Sequence, residues 1–88
     1  MTTSTPIDEL EVPMRVTNLL IETGFNTTGD LCGCTLDVLT KRLQPGVQDW
    51  YKNGFKGYSE GETVEQTLKE TISVIEDALA QEGLKLKN

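Results

Sequence analysis

The stretch from Thr63 to Glu82 leaves the backbone little choice. Val64, Leu68, Ile72, Ile75 and Leu79 recur every three or four residues, and Glu65, Lys69, Glu70, Glu76 and Asp77 fill the other side. That spacing gathers apolar side chains into one stripe of a helix, whereas on a strand it would scatter them over both faces. Thr63 with Gln66 three residues on is a capping box, and Gly83 stands where a left-handed C-cap belongs. A helix over 63–82 is predicted, about 30 Å long. In a chain of 88 residues, other elements must cover its stripe. Leu84 and Leu86 are placed to fold back over its last turn.

The opening half reads as shorter helices. Ile7, Leu10 and Val12 are apolar anchors ahead of Pro13, which suits a first helical turn because its missing N–H would be unpaired there. Val16, Leu19 and Leu20 continue with helical spacing to Gly24, so a helix over 13–23 is predicted, with Phe25 as a buried plug behind the C-cap. Asn26, Thr27 and Thr28 offer capping groups and Asp30 adds charge at a helix start, predicting a short helix near 27–33 with Leu31 inward and Gly33 as its breaker. Thr35 is the next N-cap and Asp37 lies in the first turn. Leu36, Leu39 and Leu43 predict a helix over 36–43, Lys41 and Arg42 complement its dipole, and Pro45-Gly46 stops it. The fold class is all-α, a compact bundle of four to five helices.

Residues 44–62 differ from the rest. They hold Pro45, Gly46, Gly54, Gly57 and Gly61, and four of the five aromatics: Trp50, Tyr51, Phe55 and Tyr58. Lys52 and Lys56 are interleaved, against Asp49, Glu60 and Glu62. Long connections in small domains tend to be functional. One reading is an aromatic–basic contact loop for a partner, built from those four rings. The other folds the rings back to finish a small core, with a short helix around Val47–Lys52, and expects Trp50 to be at least partly sheltered by the last helix. Residues 1–5 read as a disordered lead, 6–86 as one domain carrying the insert at 44–62, and 87–88 as a tail; Lys85 to Asn88 is expected to be solvated.

Charge and composition exclude several functions. Fourteen acidic residues against eight basic ones, a net charge of −6, oppose any broad grip on phosphate, so DNA contact would be local and weak and a protein partner is favoured. With no histidine there is no imidazole base and no His-containing triad. Cys32-Gly33-Cys34 is too tightly spaced for an ordinary disulfide, and two thiols without histidine fall short of a four-ligand zinc site. The thiols read as small core residues of a reducing compartment. Asp8, Glu9 and Glu11 precede a helix and support it electrostatically. Gly54-Phe55-Lys56-Gly57 lacks the spacing of a nucleotide-binding loop. The lead has neither the basic nor the apolar region of a signal peptide, and no apolar run reaches the ~20 residues of a membrane span. The expectation is a cytoplasmic, non-enzymatic protein with no cofactor, no metal and no membrane partner.

One pair carries chemistry. Arg15 and Asn18, three residues apart, share a face of an otherwise apolar helix, so a guanidinium and a carboxamide can act on one partner, as in phosphate and base-edge contact. The plain alternative is a solvated arginine and a helix-surface asparagine.

These residues also resemble a family. Pro6 to Val12 followed by Met14-Arg15-Val16-Thr17-Asn18-Leu19-Leu20 looks like the opening of the C-terminal domain of the bacterial RNA polymerase alpha subunit. Thr28-Gly29-Asp30-Leu31 and Thr35-Leu36-Asp37-Val38-Leu39 resemble the segments that follow there, and Ile75 to Leu86 is similar to its closing helix and Gly-Leu-x-Leu end. The likeness covers 6–43 and roughly 72–86, in order. It implies a bundle with helix-hairpin-helix elements that contacts A·T-rich promoter DNA in the minor groove, and polymerase components or transcription regulators. Arg15 and Asn18 match the family's DNA-contacting pair. The family's phosphate-gripping hairpin has no clear counterpart. Counted back from the shared end, its positions hold Leu68, Glu70 and Thr71, with a glutamate where a lysine belongs. Alternatively, Lys52 through Ser59 is a distorted copy in which Gly54 and Lys56 face phosphate. The resemblance thus implies a stand-alone, transcription-related binding module. Two rivals are an acidic protein–protein adaptor that kept the fold and lost DNA binding, and a component of nucleic-acid repair machinery.

Overall fold

A computed structural model describes residues 5–87. Four α-helices follow a 3-10 turn at Ile7–Glu9: α1 Met14–Thr23, α2 Thr28–Cys32, α3 Leu36–Lys52 and α4 Val64–Gln81. The envelope is 37 × 23 × 20 Å. The all-α expectation holds, and each start has its local cause. The Thr27 hydroxyl accepts the Asp30 N–H while the Asp30 carboxylate accepts the Thr27 N–H, capping α2. Thr35 caps α3 through the Val38 N–H, and Thr63 and Gln66 cap α4 reciprocally. Pro13 sits just before α1, its carbonyl accepting the Val16 and Thr17 N–H groups. Gly24 ends that helix at φ +108°, a conformation glycine adopts without strain.

The middle of the chain departs from the sequence expectation. Pro45-Gly46 does not stop α3, which continues to Lys52. Leu39, Leu43 and Val47 are fully buried at i, i+4 and i+8, and burying that stripe outweighs the proline's cost. The cost is also reduced by its position. Proline removes one N–H and crowds the carbonyl four residues back; Pro45 and Lys41 are both exposed, so water can serve the orphaned carbonyl. Gly46 is not a breaker either. A Cβ there would collide with Leu19 Cδ1, so its bare backbone is what lets α1 and α3 close together. The irregular insert therefore shrinks from 44–62 to 53–63. The Val47–Lys52 helix of the second reading exists, fused to α3.

The register of α1 against α3 follows from three contacts. Arg42 meets Thr23, Gly46 meets Leu19, and Trp50 faces Arg15. Each step is four residues up one helix and four down the other, so the helices run antiparallel. Lys41 and Arg42, expected in a last turn, are mid-helix, and Arg42 serves the end of α1 instead. Its Nη2 donates to the Thr23 carbonyl at 3.1 Å and its guanidinium lies 4.5 Å from the centroid of the buried Phe25 ring.

α3 and α4 form an antiparallel hairpin. The 53–63 connection closes one end, and a parallel bridge between Thr35 and Lys87 closes the other. Leu86 is buried and the Lys87 N–H donates to the Cys34 carbonyl at 2.9 Å. The segment expected to be a solvated tail is thus tied in as far as Lys87; Asn88 lies outside the described residues. At the other end the Ile7 N–H donates to the Asn26 carbonyl and the Thr28 N–H to that of Thr5, so Thr5 is strapped down. The rest of the expected disordered lead, 1–4, also lies outside the described residues. Both cysteines are free thiols, Cys34 buried and Cys32 half-buried. Among the described residues no helix is long and apolar enough to cross a membrane, and no group of three or more potential ligands could hold a metal ion.

Candidate functional site

α1 and the second half of α3 leave an open groove of about 610 Å³ beside their seam. α1 contributes Met14, Arg15, Asn18, Leu19 and Glu22 to it, and α3 contributes Gly46, Asp49, Trp50 and Asn53. The spacing i, i+3, i+7 from Arg15 to Glu22, and again from Gly46 to Asn53, is one helix face on each wall. Arg15 and Asn18 are therefore brought together in one exposed depression. A continuing hollow of about 420 Å³ runs past Lys41, Arg42 and Pro45.

Arg15 is exposed, yet its guanidinium is not loose. It lies 4.4 Å from the Phe55 ring centroid and 5.4 Å from that of Trp50, a cation–π arrangement. No carboxylate pairs with it among the described residues. The rings hold the cation's flat face and offer no acceptor oxygen, so its N–H donors stay available at the edge.

The four aromatics assemble into one cluster. Phe55 is edge-on to Trp50, Tyr51 and Tyr58, at centroid distances of 5.4, 5.8 and 5.6 Å, the geometry that ring quadrupoles favour. Trp50 is half-buried; its ring partners are Phe55 and Arg15, not side chains of α4. Only Tyr58 keeps a largely open ring, 41% exposed.

Beneath the rings is a polar network. Tyr51 Oη lies 2.6 Å from Thr67 Oγ1 and within 3.1 Å of the Glu62 and Thr63 carbonyls. Thr67 Oγ1 donates to Glu62 Oε1 at 2.7 Å, and the same oxygen accepts the Tyr58 N–H. The Thr71 hydroxyl gives its one hydrogen to the Thr67 carbonyl, so Tyr58 must donate in the 2.8 Å contact with Thr71. This accounts for two fully buried threonines on α4. The Thr67 hydroxyl above all holds Glu62 below the usual carboxylate range, while partial burial and then the neighbouring Glu62 push Glu70 up. Burial likewise raises the Tyr58 phenol.

Gly54 and Lys56 are exposed at the start of the connection, Gly54 at φ +102°. They share a shallow hollow with Tyr51, Phe55, Gly61 and Glu62. Phe55, between them, is the residue Arg15 stacks on, so the loop and the Arg15–Asn18 face adjoin. Of the two placements for a phosphate-gripping hairpin, the one at Leu68, Glu70 and Thr71 falls inside α4, where backbone N–H groups beyond the first turn are already paired. Gly54, Lys56 and Ser59 lie in the connection. Sequence reasoning missed Glu22, Gly46, Asp49 and Asn53. Glu22 was open to detection as i+7 from Arg15; the other three needed α3 to continue past Pro45. No protein-family model, curated protein or solved structure matches the chain.

Proposed function

We propose that this chain is a non-enzymatic, transcription-related binding module, a stand-alone relative of the RNA polymerase alpha C-terminal domain that uses the α1–α3 groove as its contact surface. The observation that carries this is the joint exposure of Arg15 and Asn18 in one groove, the guanidinium steadied by Phe55 and Trp50 with its hydrogen-bond donors unspent. A pre-positioned arginine loses little side-chain freedom on binding. Its partner is polymerase or a transcription regulator, with A·T-rich duplex as a weak, local contact through Arg15, Asn18 and Lys56, in the cytoplasm.

The adaptor reading that dispenses with DNA is favoured by one specific feature. Glu22 and Asp49 line the same groove, and carboxylates beside Arg15 repel phosphate. Amide shifts in an A·T-rich duplex titration at low salt, paired with a pull-down against polymerase subunits, decide between them. The module reading expects Arg15→Ala and Asn18→Ala each to weaken capture of a polymerase component. Asn18 is exposed with no internal partner, so its replacement leaves the fold intact. Capture or duplex shifts unaffected by both variants would remove the groove from consideration.

A further inference from the structure

We infer that the centre of the α1–α3 groove takes a basic side chain, the arginine or lysine of a segment of a partner protein, between Glu22 and Asp49. This rests on the reading of the groove as the contact surface and names what it contacts. In the antiparallel register that pairs Leu19 with Gly46, Glu22 stands across from Asp49 and Asn18 across from Asn53. Each wall thus supplies one exposed carboxylate, and neither carboxylate has an ion-pair partner among the described residues.

The cations nearby are engaged elsewhere. Arg15 lies on Phe55 and Trp50, and Arg42 is held by the Thr23 carbonyl and the Phe25 ring. Two like charges facing each other across an open groove repel, and an incoming cation relieves that repulsion while pairing with both. The floor suits a long side chain. Gly46 presents no side chain, Leu19 is apolar, and Trp50 at one end offers a ring to a methylene stem or a guanidinium. Asn18 and Asn53 flank the carboxylates with amides that can bond a peptide backbone. Duplex DNA would bring phosphates to the same two carboxylates in a chain of net charge −6, and a bare divalent ion would find no group of three ligands among the described residues.

The test is an amide-shift titration of the full chain at low salt with three probes: a short blocked alanine–glutamine peptide with one central arginine, the same peptide with citrulline in its place, and an A·T-rich duplex. Expected are saturable, millimolar shifts at Glu22, Gly46 and Asp49 with the arginine peptide. Glu22→Gln and Asp49→Asn should each weaken it about threefold, the size of one exposed ion pair, and citrulline should abolish it. Equal binding of the citrulline peptide, or undiminished binding by the doubly neutralised variant, overturns the inference. If the duplex moves the groove amides and the arginine peptide does not, the inference falls while the groove remains the contact surface. If no probe moves them, both fall.

Discussion

Two arginines lie flat on phenyl rings at opposite ends of α1, and they do different work. Arg42 sits 4.5 Å from Phe25 and Arg15 sits 4.4 Å from Phe55. Phe25 is 1% exposed, and Arg42 also bonds a carbonyl at the C-terminus of α1, where a cation is stabilised by the helix dipole. Phe55 is only half-buried, and Arg15 stands near the N-terminus of α1, where the dipole offers it nothing. The same stacking contact is thus a clamp at one end and a presented donor at the other. Exposure of the ring and the presence of an acceptor oxygen separate the two, not the residue pair itself.

The largest test of that contrast is the rings. Phe25→Ala should cost about 3–5 kcal/mol, as truncating a fully buried phenyl does, whereas Phe55→Ala should cost well under half of that in urea unfolding. Equal losses would make the Arg15 stack a second core and break the comparison. Next is the seam between the two ends. Gly46→Ala should destabilise by about 1–3 kcal/mol through the clash with Leu19, despite the gain of up to about 1 kcal/mol that alanine brings to a helix interior. A variant more stable than the parent would show that the helices are not held at this approach.

The arginines follow. Arg42→Ala is expected to lower stability by about 1 kcal/mol with no effect on partner capture. Arg15→Ala should lower it by about 0.5 kcal/mol yet reduce partner affinity roughly tenfold, as losing charge-assisted donors does. Reversed outcomes would exchange the two roles. The smallest effect is pH dependence. Asp30 is held low by the Asn26 and then the Thr27 N–H, and Glu62 by the Thr67 hydroxyl. A depressed folded-state pKa gives stability that is present above the ordinary carboxylate range and lost as pH falls through the folded value. Glu70, raised chiefly by burial, acts oppositely, since its stability is present at low pH and lost as pH rises through its folded value. Melting between neutral and acid pH should therefore flatten more with Asp30→Asn than with Glu62→Gln, where the two glutamates partly cancel.

Local chemistry made much of the fold legible. Thr27 with Asp30, Thr35, and Thr63 with Gln66 are caps whose partners lie within three residues, so they form wherever the chain goes. Gly24 and the apolar stripe of α4 are equally local signals. Pro45-Gly46 misled because its local rule is sound and was overruled at a distance: Leu39, Leu43 and Val47 bury one stripe across it, and Leu19 of another helix needs the glycine. The Arg15–Asn18 face was readable from helical spacing, but its opposite wall, Gly46, Asp49 and Asn53, exists only because α3 runs on.

By itself the sequence determined where helices begin, which faces are apolar, and that a guanidinium and an amide share one turn, since these depend on neighbours a few bonds away. Tertiary structure alone decided that α3 passes through its proline, that Phe55 and Trp50 come under Arg15, and that Glu22 stands across from Asp49. Those are meetings between residues tens of positions apart, settled by the burial of whole helix faces and not by the preferences of any short segment.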